Sequence, residues 1–334
     1  MPIISVEQLN KQFKIYRHRE GLSGAVKDLF DRQYEYISAV KDINLTLNQG
    51  EMIGFIGANG AGKSTTIKML TGILKPTSGQ INVLGFNPHA NREQYTRHIG
   101  VVFGQRSQLW WDIAVMESFR LLQKIYRVSE QDFQDRLQRF DELLGLAELL
   151  HLPVRKLSLG QRMRCELAAS FLHNPPIIFL DEPTIGLDVL AKVRIREFLQ
   201  EINALYQTTI ILTTHDLGDI EALCSRVAII DRGQKIYDGS LNALHREWNT
   251  EIKLEVELRE RVSGTDWQKL FGDLPVSWEQ TTPNAWTLSF QGERIPMAKV
   301  IGMLMEQMPV ADLKPQRDSI EETVRKIYRQ QEVG

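Results

Sequence analysis

The chain has 334 residues, of which 43% are hydrophobic and 25% charged, with a formal net charge of −2. That length exceeds what a single core usually serves and predicts about two domains of a globular protein. The balanced charge supplies no global basic field for nucleic acid, and no stretch reaches the roughly 18–20 apolar residues that a spanning helix needs.

The N-terminal MPIISVEQLNKQF lacks the basic-then-apolar layout of a secretory signal. Val40–Leu47 and Gln80–Leu84 are predicted strands, and between the first residues and Val40 lies Gly21–Phe30, where Leu22, Ala25, Val26, Leu29 and Phe30 share one helical face. Lys14, Arg17, Arg19, Lys27 and Arg32 surround that face. It fits a surface helix packed on its own domain, or a face turned to a membrane surface.

Glu51–Ile56 is a strand-like apolar run. It leads into Gly57, Ala58, Asn59, Gly60, Ala61, Gly62, Lys63, Ser64 and Thr65, and then into the helical pattern Thr66–Leu70. This is the phosphate-loop pattern G-x-x-x-x-G-K-[ST] in its strand–loop–helix setting. Glycines let backbone N–H groups turn inward around phosphates, and the helix N-terminus adds partial positive charge. Lys63 is the candidate for the β- and γ-phosphates and Ser64 for Mg²⁺. A second carboxylate source is expected at another strand end. Pro176–Leu180 is such a strand, closed by Asp181, a candidate metal ligand, and by Glu182, a candidate for activating water.

Between these motifs, Ile99–Phe103 reads as a strand and 108–159 as largely helical. Ile210–Thr214 is a further strand, and Asp231–Gln234 a hairpin turn. Beyond it the pattern changes. Residues 251–259 alternate like a half-buried strand, and Trp267–Phe271 reads as helix. Strands near 276–280 and 285–290 follow, then a helix over 296–308, a strand near 310–314 and a last helix from Ser319. That βαββαβ order predicts a small ferredoxin-like α+β domain. The methionines of 297–308 read as core filler. Cys165 and Cys224 show no metal spacing and are expected to be small buried hydrophobes in a reducing, cytoplasmic compartment.

With Leu157–Ser158–Leu159–Gly160–Gln161 just before the Asp181 strand, the chain resembles the ATP-binding subunits of ABC transporters over roughly residues 3–245. The family signature is Leu-Ser-Gly-Gly-Gln, so Leu159 departs at one glycine. The resemblance implies an α/β P-loop NTPase core with an antiparallel β edge and a helical subdomain at about 108–159. It implies a first domain over 1–245, with 17–38 as an insertion, and leaves 250–330 as the accessory α+β domain. It implies that Ser158, Gly160 and Gln161 serve a partner's nucleotide, with the signature helix running Arg162–Leu172. Gln105 corresponds to the Q-loop glutamine of the metal environment, Asp188 to the D-loop of the dimer, and His215 to the switch histidine on the γ-phosphate. Phe13 is the first choice for stacking on adenine, with Tyr16 the alternative. Trp110 and Trp111 lie where such proteins receive the permease, or else fill the helical subdomain's core.

The implied ligands are ATP and Mg²⁺. The implied partners are a second ATP-binding subunit, as homo- or heterodimer, and integral membrane permease subunits, with the chain peripheral on the inner face of the membrane. Drug or toxic-cation export is the cargo reading. A polysaccharide exporter's ATPase is the runner-up, and a soluble ABC ATPase on ribosomes or DNA the rival from another class. One motif set and no sustained heptads speak against the last.

Overall fold

The computed structural model describes residues 2–16, 34–104, 106–248, 251–292, 294–316 and 320–333. Two compact units divide between Gly239 and Ser240. The first carries a six-stranded sheet in the order β5-β6-β7-β3-β8-β9. Its strands are β3 (Met52–Ile56), β5 (Ile99–Phe103), β6 (Ile177–Asp181), β7 (Thr209–Thr213), β8 (Arg226–Asp231) and β9 (Gln234–Ser240). β5, β6, β7, β3 and β8 pair in parallel. Every residue of β3 and β7 is buried, as parallel strands at the centre of a sheet covered on both faces require. Register aligns the carboxyl ends: Phe103 pairs with Asp181, Asp181 with Thr213, and Phe55 with Thr213. The loops that leave β3, β6 and β7 therefore emerge side by side.

A second, antiparallel sheet orders β2-β1-β4, with β1 at Ile4–Tyr16, β2 at Tyr34–Leu47 and β4 at Ser78–Val83. It shares one apolar core with the large sheet, built from Ile4, Leu9, Val40, Leu45, Ile53, Phe55, Ile67 and Ile81 among others. β2 begins six residues before the predicted Val40, because Gln12–Tyr16 supply ladder partners for Tyr34–Ser38. The final five residues of the expected 17–38 insertion are therefore strand. The helix expected at 21–30 lies outside the described residues.

Helices α1 (Lys63–Leu70), α2 (Arg92–Tyr95), α3 (Val115–Tyr126), α4 (Glu130–Leu144), α5 (Leu159–Phe171), α6 (Val189–Tyr206) and α7 (Leu217–Leu223) complete this unit. α4 has legible ends: Ser129 accepts from the Asp132 N–H, and Gly145 closes the helix at φ 62°. Its buried stripe of Phe133, Leu137, Phe140 and Leu144 seats Phe140 edge-on against Phe198 of α6, 5.4 Å between centroids. The signature helix α5 starts at Leu159 rather than Arg162. Ser158 and Gln161 form a capping box that draws Leu159 and Gly160 into its first turn.

The second unit holds α8 (Leu241–Trp248), β10 (Glu251–Leu258), α9 (Gly264–Phe271), β11 (Val276–Thr282), β12 (Ala285–Gln291), α10 (Met297–Gln307), β13 (Val310–Gln316) and α11 (Ile320–Val333). Its antiparallel sheet orders β11-β12-β10-β13, the ferredoxin-like arrangement of a βαββαβ chain. The core gathers Leu254, Val256, Trp267, Phe271, Trp286, Leu288, Phe290, Val300 and Leu304. Met297, Met303 and Met308 pack against it, whereas Met305 is exposed. The division falls before α8, a few residues ahead of the expected 245, because α8 packs on α11.

Candidate active site

The loop after β3 folds around its glycines. Gly62 caps α1 at φ 110°, and a Cβ there would lie 2.6 Å from the Ala39 carbonyl oxygen. Both the left-handed backbone and the close approach of β2 demand glycine. Lys63 is buried at the first helical position, and its Nζ donates to the Gly57 and Ala58 carbonyls at 2.6 and 3.1 Å. Desolvation lowers its pKa, opposed by the nearby Glu182 and Asp181 carboxylates.

Asp181 ends β6 beside this loop. Its Oδ1 accepts from Ser64 Oγ at 3.2 Å and from Thr213 Oγ1 at 2.5 Å. Thr213 was not among the site residues read from sequence; its place at the end of a strand two residues before His215 was the available signal. Glu182 follows with φ 58°, a left-handed conformation uncommon outside glycine. Its N–H donates to the Thr213 carbonyl at 2.9 Å, which holds the turn. His215 Nδ1 lies 2.6 Å from Glu182 Oε2. This contact orients the ring and leaves Nε2 on its far side for a second partner.

A cavity of about 500 Å³ is lined by Asn59, Gly60, Ala61, Gly62, Lys63, Ser64, Thr65, Glu182, Ile185 and His215. A smaller one of about 320 Å³ adjoins it across Ser64 and Glu182, with Lys68, Phe103, Arg106 and Asp181 in its wall. Thus Asn59, Gly60, Ala61, Gly62, Lys63, Ser64, Thr65, Asp181, Glu182 and His215 come together. Gln105 lies outside the described residues. Phe13 sits on β1 opposite Ile37, 37% exposed, with Lys11 Nζ 5.2 Å from its ring centroid. Tyr16, its rival, pairs with Tyr34 farther out on the ribbon, ring centroids 6.0 Å apart.

Ser158, Gly160 and Gln161 do not line either cavity. The Ser158 N–H donates to Gln161 Oε1 at 2.8 Å and the Gln161 N–H to Ser158 Oγ at 3.2 Å. Leu159, at the anomalous signature position, packs on the loop before α6: a Cβ on Gly186 would lie 3.1 Å from its Cδ2. Asp188 caps α6, accepting from the Ala191 N–H at 2.8 Å. Trp110 and Trp111 are exposed and do not fill the helical core; the Arg162 guanidinium stands 5.7 Å from the Trp111 ring. Behind them, buried Glu166 accepts from Ser107 Oγ and the Gln108 N–H, and burial raises its pKa.

Residues 40–185 match the family model described as ABC transporter. NatA of Bacillus subtilis strain 168, an ABC transporter ATP-binding protein, is 32% identical over 222 residues, 66% of this chain and 90% of NatA. The chain belongs to the ABC transporter ATP-binding family. YbhF of Escherichia coli K12, a probable multidrug ABC transporter ATP-binding protein, is 34% identical over 63% of this chain, a match that spans 36% of YbhF. MetN 2 of Enterococcus faecalis, a methionine import ATP-binding protein, is 32% identical over 68% of the chain and 67% of its own length. Among solved structures, an ATP-binding subunit of an ABC transporter superposes with TM-score 0.62 at 26% identity, over 74% of this chain and 93% of that one. The dimeric, post-hydrolysis ATP-binding cassette MJ0796, bound to ADP and Pi, gives 0.59 at 25% identity, over 71% and 98%. As an ABC ATP-binding subunit, the chain binds and hydrolyses ATP. No helix among its described residues is long and apolar enough to cross a membrane.

Proposed function

We propose that this ABC subunit powers an exporter of drugs, toxic organic cations or other amphiphiles from the inner face of the cell membrane, paired with a second ATP-binding subunit and bound to permease subunits. The multidrug relative supports the export reading.

The observation that carries the mechanism is a split. The phosphate loop, Glu182 and His215 line one cavity, whereas Ser158 and Gly160 stand outside it on the first turn of α5. One subunit alone offers half of each machinery. In the proposed cycle, two subunits close head-to-tail, and each ATP lies between one phosphate loop and the other subunit's signature. Backbone N–H groups of Gly60–Ser64 cradle the phosphates, and Lys63 turns its ammonium from the loop carbonyls to the β- and γ-phosphates. Glu182 takes the proton of the attacking water, and the water oxygen bonds to the γ-phosphorus as the bond to the β-phosphate oxygen breaks. His215, oriented through Nδ1, holds the γ-phosphate, and Phe13 stacks on adenine.

The Ser64 hydroxyl and Asp181 carboxylate, already in contact, are hard oxygen donors suited to Mg²⁺. When bound there, the ion would neutralise charge that develops on the phosphates. Asp188 and Gln161 are assigned to the pairing face, and Gln105 to the metal environment.

The test is co-purification of the tagged chain from membranes, followed by transport in inverted vesicles made with its membrane partner. ATP-dependent uptake of a fluorescent organic cation, lost in Lys63→Ala, is expected. Co-sedimentation with ribosomes in place of a membrane protein, or ATP-dependent movement in the import direction, would overturn the export reading.

A further inference from the structure

Two charged contacts join α6 to α7. Lys192, one turn into α6, pairs with Asp216 Oδ2, and Arg196, one turn later on the same face, donates from Nε to Asp219 Oδ1 at 2.6 Å. Asp219 is fully buried, and its other oxygen accepts from Thr184 Oγ1, in the loop between Glu182 and Asp188. Asp216 caps α7: its Oδ1 accepts from the Gly218 N–H at 3.1 Å while Oδ2 meets Lys192. His215, in contact with Glu182, is the residue immediately before Asp216. The Lys192 ammonium is the chief influence holding the Asp216 carboxyl below its usual range.

The same helix begins with exposed apolar side chains. Asp188 caps it, and Val189, Leu190 and Val193 stand 76%, 77% and 40% exposed. The first turn of α6 thus presents apolar side chains outward and an ammonium inward, toward the residue beside the switch histidine. On a rigid helix, a displacement of the exposed first turn would be carried through Lys192 to Asp216.

We infer that Lys192 is a positioning residue that ties the placement of His215 against Glu182 to engagement of the α6 N-terminus by the opposing subunit. Arg196 and Thr184, through Asp219, fix the rest of α7, so that Lys192 governs its N-terminal end. The inference rests on the proposed pairing and on the roles proposed for Glu182 and His215. It adds a path by which one site senses that the pair has closed.

The test compares Lys192→Met, which keeps the aliphatic stem, with Lys192→Arg, which restores the charge. In the purified subunit, binding of a fluorescent ATP analogue by Lys192→Met should stay within about twofold of the parent. Its kcat should fall about tenfold with KM little changed, and the Hill coefficient for ATP should fall toward one. Lys192→Arg should recover most of kcat and the cooperativity. A merely structural contact would lower the melting temperature and leave the kcat and cooperativity of the folded protein intact, which overturns the inference. Equal loss in Lys192→Arg and Lys192→Met overturns it too. Glu182→Gln is measured alongside: normal turnover there refutes the site assignment itself, a failure distinct from that of Lys192.

Discussion

Gly160→Ala separates what the signature does for this fold from what it does for a partner. Within the subunit an added Cβ meets only Ala191 Cβ at 3.5 Å and Leu187 Cδ2 at 3.9 Å, ordinary van der Waals contacts. Gly160 has no positive φ and lies in the first turn of α5. Alanine there should therefore stabilise the folded subunit by about 0.5–1 kcal/mol, from the lower entropy of the unfolded chain and the better helix propensity. At about 2–4 °C per kcal/mol for a unit of this size, the melting temperature should rise by roughly 1–4 °C. ATPase activity should move the other way. In the proposed sandwich the Gly160 backbone faces the partner's γ-phosphate, where a methyl group costs about 1–3 kcal/mol of overpacking, or roughly 5- to 150-fold in turnover. Calorimetry and steady-state phosphate release on the same preparation decide the matter. A Gly160→Ala subunit with parental activity, or one that melts several degrees lower, would refute the reasoning.

Three further outcomes follow from particular contacts. Glu166→Ala removes the buried acceptor that holds Ser107 Oγ and the half-buried Gln108 N–H; exposed Ser107 can turn to water, so the lost hydrogen bonds and the hole left by the side chain should lower stability in urea by about 1–3 kcal/mol. Phe13→Ala should weaken ATP binding by about 1–3 kcal/mol of stacking, read by titration calorimetry, whereas Tyr16→Ala should change it little. His173 is half-buried and stacked on Tyr126, with Nε2 bonded to the Ile99 carbonyl and the shielded Nδ1 without a partner, and desolvation pushes its pKa down to about 4. The folded state thus favours the neutral ring. This stability is complete above the free-imidazole pKa of about 6.5 and is lost as pH falls from there to about 4. The loss approaches 3 kcal/mol, and thermal melts across that range should show it shrink in His173→Gln.

Much of the site was legible because its chemistry is concentrated in short runs. The Gly57–Thr65 loop and the Asp181–Glu182 pair each follow a predicted strand, and the parallel register then had only to bring the strand ends together. The accessory unit was legible for a different reason: its alternating and helical periods follow one another in an order with few compact solutions. Less legible were features that depend on distant partners. Thr213 gains its role from Asp181, 32 residues away, and Glu166 from Ser107, 59 away. The extension of β2 to Tyr34 was hidden because exposed ladder residues carry no strict alternation: Tyr34, Glu35, Tyr36 and Ile37 are all exposed. The start of α5 was misplaced because Gly160 argues against helix by propensity, while the Ser158–Gln161 capping box outweighs it.

The account's central claim is that Glu182 activates water at a site completed by a second subunit. The direct measurement is Glu182→Gln, with MgATP, followed in parallel by light scattering and phosphate release. The amide keeps the size of the carboxylate but cannot take a proton. ATP should therefore drive a stable dimer while turnover falls by about 10²–10⁴-fold. Turnover near the parental rate, or a subunit that binds ATP and remains monomeric, would contradict the account.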